Sequence, residues 1–204
     1  MKQMEVEEFI GAMSQDQISQ NELENGMILG LAGRRIDARE TSDPVFPFGN
    51  AGKVGERLER LLSEQGVRVL VCSAACGADL IALQVAETLD IRSRIILPFE
   101  PGQFRQTSVI DRPGDWGPIF DRIIAAAEHR KDLIDLQLSQ GDEAYVRANH
   151  AILDEIVRVA EASGDQAAVS LVWDQRSKGK DDYTEYLGEA ARELGLTVFE
   201  VSTL

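Results

Sequence analysis

Two stretches carry the residue types most suited to chemistry: Gly33-Arg34-Arg35, and Ser73-Ala74-Ala75-Cys76-Gly77-Ala78-Asp79 further along. In the first, Gly33 lets the backbone turn tightly or approach a ligand, and Arg34, Arg35 and Arg39 concentrate positive charge in a chain that is acidic as a whole. Guanidinium forks suit phosphate. The competing reading pairs an arginine with Asp37 or Glu40 and leaves the others solvated. Asp37 either orients an arginine or accepts a hydrogen bond from a ribose hydroxyl.

The second stretch runs from a strand end at Ser73 into a helix whose first residues, Cys76, Gly77 and Ala78, are too small to shield its backbone. Free N–H groups and the positive end of the helix dipole favour an anion there. Close packing of helix on sheet would use the same residues. A carboxylate in the first turn would repel an adjacent phosphate, so Asp79 is assigned to sugar or base contacts, or to the cap. Cys76 is either an activated thiol or a packing residue, and the lack of a visible base partner favours packing.

Phe99, Phe104, Ser108 and Trp116 offer aromatic faces and a hydroxyl in the segment from Phe99 to Pro118, although rings buried under a loop look the same in sequence. The segment Asp174 to Asp182 brings Lys178-Gly179-Lys180 to the last long helix, where Tyr183 and Thr184 would meet a ligand. A solvated charged turn predicts the same letters. Were the protein an enzyme, Glu185, Asp79 or Asp174 would be the carboxylate assisting attack at a sugar's anomeric carbon. His129 and His150 lack a second ligand at metal spacing, so no metal is expected. Cys72 and Cys76 fit neither a disulfide framework nor a four-ligand zinc site. G-x-S-x-G, G-x-x-x-x-G-K-[ST] and G-x-G-x-x-G are absent, which removes the hydrolase-elbow, kinase-like and dehydrogenase readings, and no cofactor is expected.

The elements that must position these residues read as an α/β domain. Apolar segments rich in Val, Ile and Leu at Met27 to Leu31, Val67 to Cys72, Arg94 to Pro98, Ala168 to Trp173 and Thr197 to Val201 alternate with amphipathic stretches. That alternation predicts a Rossmann-like three-layer sandwich around a mostly parallel sheet. Leu133 to Leu138 is a sixth candidate strand or a helix extension. Val54, Leu58, Leu61 and Leu62 form one helix face closed by Gly66. Ala78 to Leu89 predicts a helix apolar on most of its circumference, hence central. Tyr183, Tyr186, Leu187, Ala190, Ala191 and Leu194 make a 3.6-residue stripe closed by Gly195. Parallel strands leave the sheet at one edge, so the loops Gly33 to Asn50, Phe99 to Pro118 and Asp174 to Asp182 converge there. Their length also marks them as functional.

Residues 1–25 read as a polar helix or arm whose apolar face, Val6, Phe9, Ile10 and Met13, would dock on the core or on a second subunit in a homodimer. Residues 26–204 are read as one domain. The net charge of -14 and pI near 4.6 argue against a nucleic-acid partner and against an anionic membrane surface. The start lacks a signal-peptide layout, and no apolar run approaches the roughly 20 residues of a membrane span, so a cytoplasmic protein is expected.

Leu31-Ala32-Gly33-Arg34-Arg35-Ile36-Asp37, Ser73-Ala74-Ala75-Cys76-Gly77-Ala78-Asp79, Leu97-Pro98-Phe99 with Phe104 and Ser108-Val109, and Val172-Trp173-Asp174, in that order, resemble the SLOG superfamily. This is the Rossmann-like group of LOG enzymes and the DprA domain. The similarity covers most of residues 27–202. It implies binding of a nucleotide or nucleotide-derived ligand, with some members cleaving an N-glycosidic bond and others only sensing. LOG enzymes carry P-G-G-x-G-T-x-x-E where this chain has Gly179-Lys180-Asp181-Asp182-Tyr183-Thr184-Glu185, without the glycine pair, and related domains often have a histidine at the place of Arg34. Three readings follow: a ligand sensor acting on an effector encoded nearby, a LOG-like N-glycoside hydrolase or transferase, and an interaction protein with a vestigial pocket.

Overall fold

The computed structural model describes residues 26–179 and 182–204; the predicted arm and Lys180 lie outside the described residues. Six strands form one sheet in the order β4-β3-β2-β1-β5-β6. They are β1 (Met27–Gly33), β2 (Val67–Cys72), β3 (Arg92–Leu97), β4 (Leu133–Asp135), β5 (Gln166–Trp173) and β6 (Thr197–Ser202). All five pairings are parallel. Strands buried on both faces read as nearly continuous apolar runs, which is why these segments stand out in the sequence.

Helices α1 (Ala51–Glu64), α2 (Ala78–Thr88), α3 (Pro101–Ser108), α4 (Trp116–Arg130), α5 (Asp142–Ser163) and α6 (Tyr183–Glu193) complete the architecture. Leu58 of α1, Leu80 of α2 and Phe120 of α4 pack with Leu29 and Leu70 in one core. Ile152 and Ile156 of α5 and Leu187 of α6 pack with Val71 and Val169 in the other. The sheet is therefore the middle of three layers. Helix α2, buried at seven of its residues, is central as its composition predicts.

The segment Phe99 to Pro118, read in sequence as a loop, contains α3 and the start of α4. The reason is local: the Glu100 carboxylate accepts from the Gly102 and Gln103 N–H groups at 2.9 and 3.0 Å, and Pro101 fits the first helical position. Leu133 to Leu138 becomes a strand for Leu133–Asp135 only, the stretch that pairs with β3.

The order of strands locates the crevice. From β1 the chain steps outward through β2 and β3 to β4, and α5 then carries it back to β5 on the other side of β1. Adjacent connections diverge where that direction reverses, so the carboxyl ends of β1 and β5 flank an opening.

Candidate functional site

A chamber of about 260 Å³ occupies this opening. Gly33 at the end of β1, Ser73 after β2, and Ala75 and Asp79 at the start of α2 form one side. Tyr145, Ala148, Asn149 and Ile152 of α5 face them, Phe104 and Ser108 of α3 close one end, and Tyr183 and Thr184 of α6 flank the mouth. Tyr145 stacks on Tyr183 with ring centroids 5.4 Å apart and meets Phe99 edge-on at 5.9 Å. Its hydroxyl lies 3.3 Å from that of Ser108, and Asn149 Nδ2 donates to the Tyr183 carbonyl at 2.6 Å. Rings and aliphatic carbons thus dominate the α5 side, while Ser73 and Asp79 bring polar groups to the other.

The turn between β2 and α2 is occupied by the protein's own backbone. Cys76 N–H donates to the Ser108 carbonyl at 3.0 Å and Ala78 N–H to the Arg34 carbonyl at 3.1 Å. Gly77 has φ 98°, and a Cβ there would lie 2.8 Å from both the Arg34 oxygen and the Ile36 nitrogen. Gly33 is equally confined, since its Cβ would lie 2.8 Å from the Val172 carbonyl oxygen. Only glycine allows either approach. Cys76 is buried, and burial pushes its thiol up despite the nearby Arg35 charge. Burial also drives the Cys72 thiol well up, with Asp79 adding to it.

Asp79 is 6% exposed and lines the chamber. Burial pushes its carboxyl up to about 7, although the hydrogen bond from Ala75 N–H, 3.1 Å from Oδ2, and the Arg35 charge pull the other way. A buried carboxyl in this range exchanges a proton near neutrality.

Arg34 is spent on a latch. Its Nε donates to Asp174 at 3.0 Å, Nη1 to Asp182 at 2.6 Å and Nη2 to the Arg176 carbonyl at 2.5 Å. The guanidinium also lies 5.5 Å from the centroid of the Trp173 ring. Burial alone would raise both carboxyls, but the hydrogen bonds from Arg34, supplemented by Arg176 on Asp174 and by backbone N–H groups on Asp182, hold them below the usual value. Arg34 thereby joins the end of β1 to the loop after β5 and the start of α6. Glu185 accepts from Ser177 and does not line the chamber.

Beside the chamber lies a vestibule of about 210 Å³ that shares Gly33, Arg35, Tyr183 and Thr184 with it and adds Arg112, Lys178 and Asp37. Arg35 and Arg112 both pair with Asp111, the second through its Nε at 3.4 Å, and the Nε atoms of both are buried and make no hydrogen bond to a described residue. Burial, with the Arg34 charge, lowers the Lys178 ammonium. The Asp37 carboxylate accepts from Val45 and Phe46 N–H at 3.0 and 2.9 Å and shapes the first loop.

Of the residues singled out in sequence, the chamber gathers Gly33, Arg35, Ser73, Asp79, Phe104, Ser108, Tyr183 and Thr184. Arg34 and Asp37 lie on the vestibule, Asp174 is held in the latch, and Cys76, Gly77, Ala78 and Phe99 pack behind the site. Sequence reasoning missed Tyr145, Asn149 and Arg112. The signal for Asn149 was an amide within the apolar stripe of Ala148 and Ile152; Arg112 had none. Among the described residues no three His, Cys, Asp or Glu are grouped as metal ligands, and no helix is long and apolar enough to cross a membrane.

No protein-family model matches the sequence, and no curated protein does. Among solved structures, the chain is similar to DNA processing protein A (DprA) from Streptococcus pneumoniae, at 12% identity and a TM-score of 0.40, over 89% of this chain and 60% of that one. It is also similar to Streptococcus suis SuiB bound to S-adenosylmethionine, at 12% identity and a TM-score of 0.27, over 86% of this chain and 46% of that one. The chain spans less than two thirds of either structure, and neither likeness bears on what the site binds.

Proposed function

We propose that the protein binds, and thereby senses, a nucleotide or nucleotide-derived ligand at the carboxyl edge of its sheet. One observation carries the reading: an aromatic-walled chamber shares its mouth with a vestibule lined by Arg35, Arg112 and Lys178, in a chain of net charge -14. Planar bases suit Tyr145, Phe104 and Ile152, and phosphate suits the guanidinium and ammonium groups that line the vestibule. A melting screen with nucleoside mono-, di- and triphosphates, cyclic nucleotides and ADP-ribose-type ligands tests this. A ligand at 100 times its Kd stabilises the native state by about 2.7 kcal/mol, or roughly 5–10 °C for a chain of this size. Arg35→Ala and Lys178→Ala are expected to shrink that rise for phosphorylated ligands. No rise with any of them favours the interaction-protein reading.

Asp79 favours a second reading, N-glycoside hydrolysis or transfer, because a chamber carboxyl titrating near neutrality suits general acid–base work. Free base released on incubation, and lost in Asp79→Asn, would establish it; a nucleotide recovered intact supports the sensor. The expectation of no nucleic-acid partner rests on charge alone, so the panel includes a short single-stranded DNA. As a sensor the protein would act on an effector encoded nearby, and the homodimer through residues 1–25 remains part of the same proposal.

A further inference from the structure

We infer that Asp79 is the residue that reads the ligand's sugar, accepting hydrogen bonds from the hydroxyls of a ribose and so setting a preference for ribonucleotides over 2′-deoxyribonucleotides. The inference rests on the nucleotide reading above and deepens it. Three placements carry it. Arg35 lines both the chamber and the cationic vestibule, so it marks the junction between the phosphate end and the base end. Asp79 lines the chamber together with Arg35, whose charge acts on its carboxylate, so the carboxylate lies on the chamber side of that junction. In a nucleotide the group that joins phosphate to base is the pentose. The aromatic wall lies across the chamber, on α5 and α3, where a base would stack.

The carboxylate is also free to accept. Oδ2 takes the Ala75 N–H, while Oδ1 takes no hydrogen bond from any described residue. A ribose presents two adjacent hydroxyl donors to such a group, and an ionised acceptor strengthens both bonds. Nothing else polar on that side competes as strongly: the Ser73 hydroxyl already donates to the Ile96 carbonyl at 2.8 Å. The titratable and charged groups around Asp79 are Arg35 from the loop after β1, Cys72 on β2, Cys76 in the turn before α2, and the phenols of Tyr145 on α5 and Tyr183 on α6 across the chamber. The Cys72 thiol is held neutral by its raised pKa, which leaves Arg35 as the charge acting directly on the carboxylate.

Acceptance from two hydroxyls requires the ionised carboxylate, so the sugar preference is coupled to pH. With a folded value of about 7, roughly a tenth of the Asp79 side chains are ionised at pH 6 and nine tenths at pH 8. Affinity scales with the competent fraction, so the ribose-dependent part strengthens about tenfold across that interval. A site built to bond a hydroxyl rejects an analogue without it, here by roughly tenfold or more at pH 8.

The experiment is calorimetric titration of the wild type and Asp79→Asn with the four ribonucleoside 5′-monophosphates and their 2′-deoxy counterparts at pH 6 and pH 8. The expected result is a ribo-to-deoxy preference that grows with pH in the wild type and is flat with pH in Asp79→Asn. Phosphate ionisation is common to both members of each pair and cancels in the ratio. Ribo and deoxy ligands binding equally to the wild type would overturn the sugar assignment while leaving the nucleotide reading intact. The same preference with the same pH dependence in Asp79→Asn would overturn it too. No binding of any nucleotide by the wild type would remove the nucleotide reading and this inference with it. Should Asp79→Asn fail to melt cooperatively, the wild-type ratio at the two pH values decides alone.

Discussion

Asp79→Asn should stabilise the protein, and by an amount that grows with pH. The carboxyl moves from 3.8 when unfolded to about 7 when folded, because burial outweighs the Ala75 hydrogen bond and the Arg35 charge that favour the ionised form. A group raised in this way favours the native state fully below its unfolded value, and that contribution is lost as pH rises through the folded value. Between about pH 4 and 7 the native state therefore holds the extra proton, and stability falls with rising pH. The whole difference is worth about 4 kcal/mol at 1.36 kcal/mol for each pH interval. Asparagine keeps the shape and an oxygen to accept from Ala75 N–H, but carries no charge to desolvate. Even half of the full effect should raise Tm by roughly 4–8 °C at pH 8 relative to the wild type, with little difference at pH 4. Parallel thermal melts of both proteins from pH 4 to pH 8 read it directly. A gap between the two that stays constant, or narrows as pH rises, would falsify the reasoning, because no native carboxylate at position 79 would then be under strain from burial.

Arg34→Ala should cost about 3–5 kcal/mol in urea denaturation, since it leaves the buried Asp174 and Asp182 without their shared cation. Arg34→Lys should recover less than half of that, because an ammonium cannot span two carboxylates and the Arg176 carbonyl together. As Asp174 and Asp182 are held below 3.8 in the native state, their contribution is present above that pH and lost as pH falls through their folded values. Arg34→Ala should accordingly flatten the acid limb of the stability curve, and an unchanged limb would count against the latch. Cys72 and Cys76 are fully buried with raised thiols, so a thiol-specific reagent should label neither in the native protein and both after unfolding. Rapid native labelling of Cys76 would reopen its role as a nucleophile.

The strands were legible because their burial is two-sided, and the glycines closing α1 and α6 marked helix ends. Helix α3 was hidden by its shortness, although Glu100-Pro101 carried its start. The crevice was legible from strand order. What occupies it was less so, because partners meet only in the folded chain: Arg34 and Asp182 are 148 residues apart, and their pairing turns a candidate phosphate ligand into a latch. In sequence, Arg34 and Arg35 are indistinguishable. The fold separates them by burying the first between two carboxylates and opening the second to both compartments. Tyr145 and Asn149 sit four apart on a 22-residue helix, a spacing that any amphipathic face shows.

The close seating of Gly77 against the Arg34–Ile36 backbone has a mechanical meaning for the site. The loop after β1, the turn before α2, β5 and the end of α3 are cross-tied around the mouth without an intervening side chain: Ala78 N–H bonds the Arg34 carbonyl, Arg34 N–H bonds the Val172 carbonyl, and Cys76 N–H bonds the Ser108 carbonyl. A ligand that enters such a frame has little backbone to order, so its affinity is not diluted by loop folding. Selectivity among ligands then falls to the side chains that remain free to respond, with the Asp79 proton and the Arg35 guanidinium as the adjustable parts of an otherwise fixed aperture.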